Sequence, residues 1–268
     1  MELGIEAVAA LAAVAVLAGM LDAIAGGGGL ITVPALLLAG LDPIGAVATN
    51  KLQGVFGTAS ATVAFARAGK IDWPSAWPMA VLAALGAIAG AVAVRIVPGA
   101  WLAGLVPLLL IGMALYFGLS PRMTDADARR RMAPALFATT VVPLVGFYDG
   151  FFGPGAGSFY MMGFVTLLGL GVVRATGQTK LLNFASNGGS LALFVAAGLV
   201  VWPVGLAMGA GALIGAQLGS RLALRFGAGL IRPLIVLVCC AVALRLLADP
   251  ANPLRRMVAD LVGAGWGR

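Results

Sequence analysis

Two aspartates stand deep inside apolar sequence. Asp22, in "GMLDAIAGGGGL", and Asp149, in "GFYDGFFGPGAG", each lie four residues ahead of a glycine cluster. Two lysines are placed as oddly: Lys51 in "ATNKLQ" and Lys180 in "ATGQTKLLN". A charge at bilayer depth costs at least ~2.5–3.5 kcal/mol on insertion scales, so such groups line a pathway or pair with a partner. For each aspartate two roles fit. Its carboxylate can accept hydrogen bonds from backbone amides freed at its own glycine break, locking a hairpin. Alternatively it carries a proton or lines the path of a substrate.

The glycine runs at 26–29 and 153–157 are the breaks themselves. Irregular backbone at membrane depth is tolerated where it is buried in protein or faces a water-filled cavity. A helix restarting after such a break presents free N–H groups and a positive dipole end, a ready anion site. Gly27, Gly28, Gly155 and Gly157 are therefore candidates to contact substrate. The competing reading is a face of small residues for close helix packing. Gly86/Gly90 and Gly215/Gly219 fit that second role better than four consecutive glycines do.

Each lysine has polar company. Asn50 and Gln53 flank Lys51; Gln178, Thr179 and Asn183 surround Lys180, and Ser186, Asn187 and Ser190 extend the stripe at helical spacing. Amide and hydroxyl donors beside an ammonium suit oxyanion groups. Two other readings stand beside substrate binding. The lysines can neutralise the aspartate of their own half, Asp22 with Lys51 and Asp149 with Lys180, or snorkel to the interface. Tyr148 and Tyr160 flank the second break and either reach the site or pack. The tryptophans read as interfacial anchors.

These residues need membrane helices to hold them. The 268 residues are 61% hydrophobic and 10% charged, with a mean hydropathy of +1.05, against about a quarter charged in soluble domains. Residues 73–94, 96–121, 150–173 and 181–220 contain no Asp, Glu, Lys or Arg, and roughly 20 apolar residues cross a bilayer. The chain reads as an all-α polytopic membrane protein. Its net charge of +7 belongs to loops and is no nucleic-acid footprint. The absence of histidine removes His-based metal sites and nucleophile activation. The adjacent Cys239 and Cys240 suit packing better than a disulfide or a metal. No phosphate-binding loop is present, and neither a metal nor another cofactor is expected. The acidic "MELGIE" start reads as a retained first helix and not a signal peptide.

The chain repeats itself. At an offset of 127, Asp22 matches Asp149, Gly26 matches Gly153, Gly28 matches Gly155, and Thr49 matches Thr176. At an offset of 129, Lys51 matches Lys180, Trp73-Pro74 matches Trp202-Pro203, Gly86 matches Gly215, and Gly90 matches Gly219. Helical pieces are expected at 3–24, 30–39, 44–67, 74–96 and 100–119, then at 134–152, 157–170, 174–197, 203–224 and 229–247. Five pieces per unit make the second unit start on the opposite side, which gives two inverted repeats with paired glycine-rich breaks, or re-entrant hairpins, near the midplane. The expected organisation is a first repeat at 1–120, a cytoplasmic linker at 121–133, a second repeat at 134–248, and a tail at 249–268. Arg67, Lys70, Arg122, Arg129, Arg130, Arg131, Arg174, Arg221 and Arg225 fall on the linker side, which the positive-inside rule places in the cytoplasm.

Together, "GMLDAIAGGGGLITVPALLLAGLDPIGAVATNKLQ", "GFYDGFFGPGAGSFYMMGF" and "RATGQTKLLNFASNGGS" closely resemble the sulfite exporter TauE/SafE family. The similarity covers nearly the whole chain. It implies a multi-pass transporter of the bacterial inner membrane for small anions, chiefly sulfite, sulfonates and related organosulfur compounds. The expected function is thus secondary anion transport coupled to an ion gradient, with no enzymatic activity. Asp22 and Asp149 serve there as coupling or hairpin-locking groups. The expected partners are a small anionic substrate, protons and the bilayer, with a homo-oligomer left open. A passive anion channel is the alternative. An intramembrane aspartyl enzyme is disfavoured, because the two acids occupy equivalent positions, each beside its own break.

Overall fold

The computed structural model describes residues 4–94, 115 and 124–248. Among these, every regular element is a helix: α1 (Ile5–Ala25), α2 (Gly29–Leu38), α3 (Pro43–Arg67), α4 (Trp73–Ala93), α5 (Pro134–Phe151), α6 (Ala156–Thr166), α7 (Val172–Ala196), α8 (Trp202–Phe226) and α9 (Ala228–Ala248). Their limits follow local chemistry. Asp42 caps α3 by accepting from the amides of Ile44 and Gly45 at 3.1 and 2.9 Å, with Pro43 in the first turn. Proline also occupies the first turn of α4, α5 and α8, where its missing N–H leaves nothing unsatisfied.

Among the described residues, three helices are long and apolar enough to cross a membrane: α1, α4 and α5. The 25-residue helices α3 and α7 are more polar, because their lysines, amides and hydroxyls point inward. α2, at 10 residues, is about 15 Å long, half of a ~30 Å hydrocarbon core. It folds back along α1 and delivers the chain to the start of α3. The core cluster of Leu11, Leu36, Ala46 and Val204 joins the beginnings of α1, α3 and α8 to the end of α2.

Glycines set the closest helix contacts. Gly211 lies against the backbone of Ala12, Gly215 against Val16 and Gly219 against Met20, so α1 and α8 run in the same direction. Gly86 meets Pro143 and Gly90 meets Phe147, so α4 and α5 also run together. A Cβ at these positions would strike a neighbouring carbonyl. This is the close packing expected of Gly86/Gly90 and Gly215/Gly219. α3 runs with α8, where Gly205 packs on Leu52 and Gly209 on Phe56. It runs against α7, where Gly54 packs on Asn187 and Gly177 on Lys70.

At one end of the bundle the segment after Thr124 lies over the turns. Ala128 N donates to Gly169 O at 2.7 Å and Arg131 N to Leu167 O at 2.9 Å. Arg174 pairs with Asp127, and Ala228 N donates to Asp125 Oδ1 at 3.2 Å. This pairing explains one difference from expectation. The piece expected at 157–170 ends as a helix at Thr166, because residues 167–171 form the turn that the linker joins. The piece expected at 100–119 and the tail at 249–268 lie outside the described residues, apart from Leu115. Trp73, Trp77 and Trp202 stand partly exposed in the first turns of α4 and α8, as anchors would.

Candidate functional site

At the first break, α1 ends after Ala25 and Gly26 turns left-handed at φ 72°. The reversal aims the next amides at the aspartate just passed. Gly27 N and Gly28 N donate to Asp22 Oδ1 at 3.0 and 3.1 Å. Asp22 therefore locks its own hairpin. Asp149 does not. The residue equivalent to Gly27 at the 127 offset is Pro154, which has no N–H to give. Asp149 accepts instead from side chains alone, Ser186 Oγ at Oδ2 and Lys51 Nζ at Oδ1, the latter at 2.6 Å. The second break is braced from outside the carboxylate, by Tyr148 donating to Pro154 O at 2.6 Å. Tyr160 donates to Val142 O at 3.3 Å. Tyr148→Phe is expected to cost about 1 kcal/mol, seen as a melting temperature a few degrees lower; an unchanged value would show that the brace contributes nothing.

The lysines correct the pairing read from sequence. Lys51 of α3 donates to Asp149 Oδ1 and, at 2.5 Å, to Asp149 O. Lys180 of α7 donates to Asp22 O and, at 3.3 Å, to Asp22 Oδ2. The pairs cross between the two units; neither lysine neutralises the aspartate of its own half. Neither snorkels, since both are fully buried. Each ammonium sits where carbonyls end a helix, at the negative end of its dipole. An ion pair out of water is tolerable only with good geometry and further hydrogen bonds, and both pairs have a backbone carbonyl as the extra acceptor.

The two breaks touch. Ser158 Oγ donates to Gly26 O at 2.5 Å and Ala25 O at 3.0 Å. A Cβ on Gly26 would come within 2.7 Å of Gly157 C, and one on Gly29 within 3.3 Å of Pro154. Beside this junction lies a cavity of about 50 Å³, room for roughly three or four waters or one small oxyanion. Its lining includes Asp22, Gly28, Asn50, Lys51, Gln53, Asp149, Gly155, Gly157 and Asn183. Gly29, Gly155 and Gly157 also line it, and their amides donate to no protein atom among the described residues. They are the unsatisfied first-turn donors of α2 and α6.

Of the expected site residues, Gly27, Lys180, Gln178 and Thr179 are not in the cavity wall. Gly27 serves the Asp22 lock and Lys180 the crossed pair. Gln178 and Thr179 are buried, with Gln178 Oε1, Thr179 Oγ1 and the nearby Asn183 Oδ1 unpartnered among the described residues. On the other helix Asn50 Oδ1 is fully engaged, accepting from Thr32 Oγ1 at 2.5 Å and Gln53 Nε2 at 2.9 Å. Sequence reasoning missed Gly54, Thr58 and Ser158, and had Asn187 only as part of the stripe extending from Lys180. Lys51, Gly54 and Thr58 follow one another at spacings of three and four, the signature of one helix face, so that signal was present. Ser158 had none, because its partner is on the other unit.

A profile described as "Sulfite exporter TauE/SafE" matches residues 11–246. "Probable membrane transporter protein ORF9" of Sinorhizobium sp is 53% identical over 254 residues, 95% of this chain and 97% of that one. "Probable membrane transporter protein YfcA" of Escherichia coli (strain K12) is 46% identical over 236 residues, 88% of each chain. A "Probable membrane transporter protein" of Haemophilus influenzae is 39% identical over 249 residues, 93% of this chain and 98% of the relative. No solved structure matches the chain significantly.

Proposed function

The chain belongs to the sulfite exporter TauE/SafE family and is a multi-pass membrane transporter of the bacterial inner membrane, and from that premise we propose that it carries small oxyanions through the cavity at the meeting of its two breaks. The observation that carries this reading is that Gly29, Gly155 and Gly157, whose amides find no acceptor among the described residues, line one cavity together with Lys51. Two helix N-termini and an ammonium favour negative charge, and the cavity's size favours a compact anion. The family description points to sulfite as the first compound to try, with sulfonates as its chemical relatives. Lys51, Asn50, Gln53, Asn183, Gly28, Gly155 and Gly157 serve as the substrate-facing set; Gly27, Lys180, Gln178 and Thr179 support it.

The opposed directions of the equivalent helices α3 and α7 support reading the units as inverted repeats, 1–120 and 134–248. In that arrangement alternating access is a rocking of one unit against the other around a fixed site. The linker at 121–133 and its arginines then face the cytoplasm. The crossed ion pairs speak against an aspartyl enzyme, because each carboxylate is balanced by a lysine and not by a proton shared with the other. Transport, then, and not catalysis.

The test is a thermal-shift screen of purified protein with sulfite, sulfate, thiosulfate, methanesulfonate, taurine and acetate, followed by uptake into proteoliposomes. A ligand at a hundred times its Kd stabilises by about 2.7 kcal/mol, so a shift of a few degrees is expected for the small sulfur oxyanions. Uphill uptake under an imposed ion gradient distinguishes a secondary transporter from a channel. A flat response to every anion, with no uptake, sinks the proposal.

A further inference from the structure

We propose that Asp149 alone is the proton-carrying carboxyl of the anion site, and that it trades its hold on Lys51 for the substrate; this inference rests on the oxyanion-transport reading above. The two aspartates match in sequence but are held differently. Asp22 Oδ1 accepts from two backbone amides that the hairpin fixes in place, so neutralising that carboxylate weakens the turn itself. Around Asp149 every donor is a side chain, Ser186 Oγ and Lys51 Nζ. Pro154 supplies none where Gly27 supplies one. A serine hydroxyl can reverse from donor to acceptor, and Ser186 has Asn183 O as a second acceptor at 3.3 Å. Asp149 can take a proton without disturbing backbone.

The lysines differ in the same sense. Lys51 lines the cavity beside Asp149, whereas Lys180 does not. When a proton binds Asp149 Oδ2, where Ser186 Oγ turns to accept it, the carboxylate becomes a neutral carboxylic acid and its ion pair with Lys51 is lost. The ammonium then has an anion within reach as its new counter-charge, while its bond to Asp149 O keeps it at the site. When the proton leaves, the carboxylate reclaims Lys51 and the anion is displaced. One proton and one negative charge bind together, so the buried charge is balanced in both states. The same trade at Asp22 would strand Lys180 away from the cavity. The other titratable groups about Asp149 are Tyr148, its chain neighbour, and Tyr160 of α6, whose hydroxyls donate to Pro154 O and Val142 O. α4, packed along α5, carries no charged residue. Lys180 of α7 is engaged by Asp22.

The experiment compares wild type, Asp149→Asn and Asp22→Asn in proteoliposomes, using sulfite, sulfate and methanesulfonate as probes; methanesulfonate stays singly charged throughout the pH range. Wild type is expected to accumulate a monovalent probe up to about tenfold per unit of pH gradient with the acid side outside. Asp149→Asn is expected to lose that accumulation and to show probe exchange with no dependence on pH. Asp22→Asn is expected to melt at lower temperature yet to keep the pH dependence. Should Asp22→Asn fail to fold, infrared difference spectra of probe binding decide instead. A protonated-carboxyl band is expected in wild type and absent in Asp149→Asn. Accumulation by Asp149→Asn, or a probe-induced carboxyl band that survives in it, overturns the inference while leaving oxyanion transport standing. Absence of any wild-type exchange overturns both.

Discussion

Lys51→Met is expected to destabilise the protein by about 3–5 kcal/mol, the toll of leaving a buried carboxylate without its counter-charge. The Lys51–Asp149 pair is the drier of the two, with side chains 1% and 4% exposed, against 0% and 23% for Lys180–Asp22. Only the few waters of the small cavity it lines could compensate Asp149. Adding Asp149→Asn removes the orphaned charge, and replacing both members of a buried pair is often close to neutral. The double variant should therefore regain most of the lost melting temperature. It should not regain transport, because the ammonium that faces the cavity is gone. Thermal denaturation in detergent and anion uptake read the two effects separately. Wild-type stability in the single variant, or full uptake in the double, would contradict the assignment of Lys51.

Gly26→Ala is expected to cost about 2–5 kcal/mol and to abolish transport. The left-handed φ of 72° penalises any Cβ by roughly 1–2 kcal/mol. The added methyl would also sit 2.7 Å from Gly157 C and 2.9 Å from Ser158 N, both backbone atoms that cannot turn aside; overpacking of that kind typically costs about 1–3 kcal/mol. Relief requires the two breaks to separate, which opens the junction that Ser158 closes and dismantles the cavity wall. By contrast Gly69→Ala, also at positive φ but with open space around it, should show only the conformational penalty. Equal melting temperatures for these two variants would mean that the junction between the breaks is not tight.

Much of this architecture was legible beforehand, because punctuation in a membrane chain is emphatic. Asp42-Pro43, Trp73-Pro74, Pro134 and Trp202-Pro203 start helices where expected, and Gly26 ends one. The buried face of α7 could be read from Asn183, Ser186, Asn187 and Ser190 at helical spacing. The crossing of the ion pairs could not. Nothing in local sequence says which lysine an aspartate will meet, and proximity along the chain favours the wrong one. It takes the packing of α3 beside α7 to bring Lys51 to the second break and Lys180 to the first. The unequal treatment of the aspartates was visible and overlooked. Proline at 154 opposite glycine at 27 already denied Asp149 the amide that Asp22 uses.

The exchange of counter-ions between the halves has a consequence for how such a chain can be built or taken apart. The aspartate and the lysine of each half find their counter-charges in the other half, so neither is an independent folding unit. A gene cut between α4 and α5 should give product only when both fragments enter the same membrane together. By the same reasoning, an ancestor encoding one half would have needed a second, oppositely inserted copy of itself before either lysine could be neutralised. On the inverted-repeat reading proposed above, duplication and fusion would have tied together partners that already depended on each other.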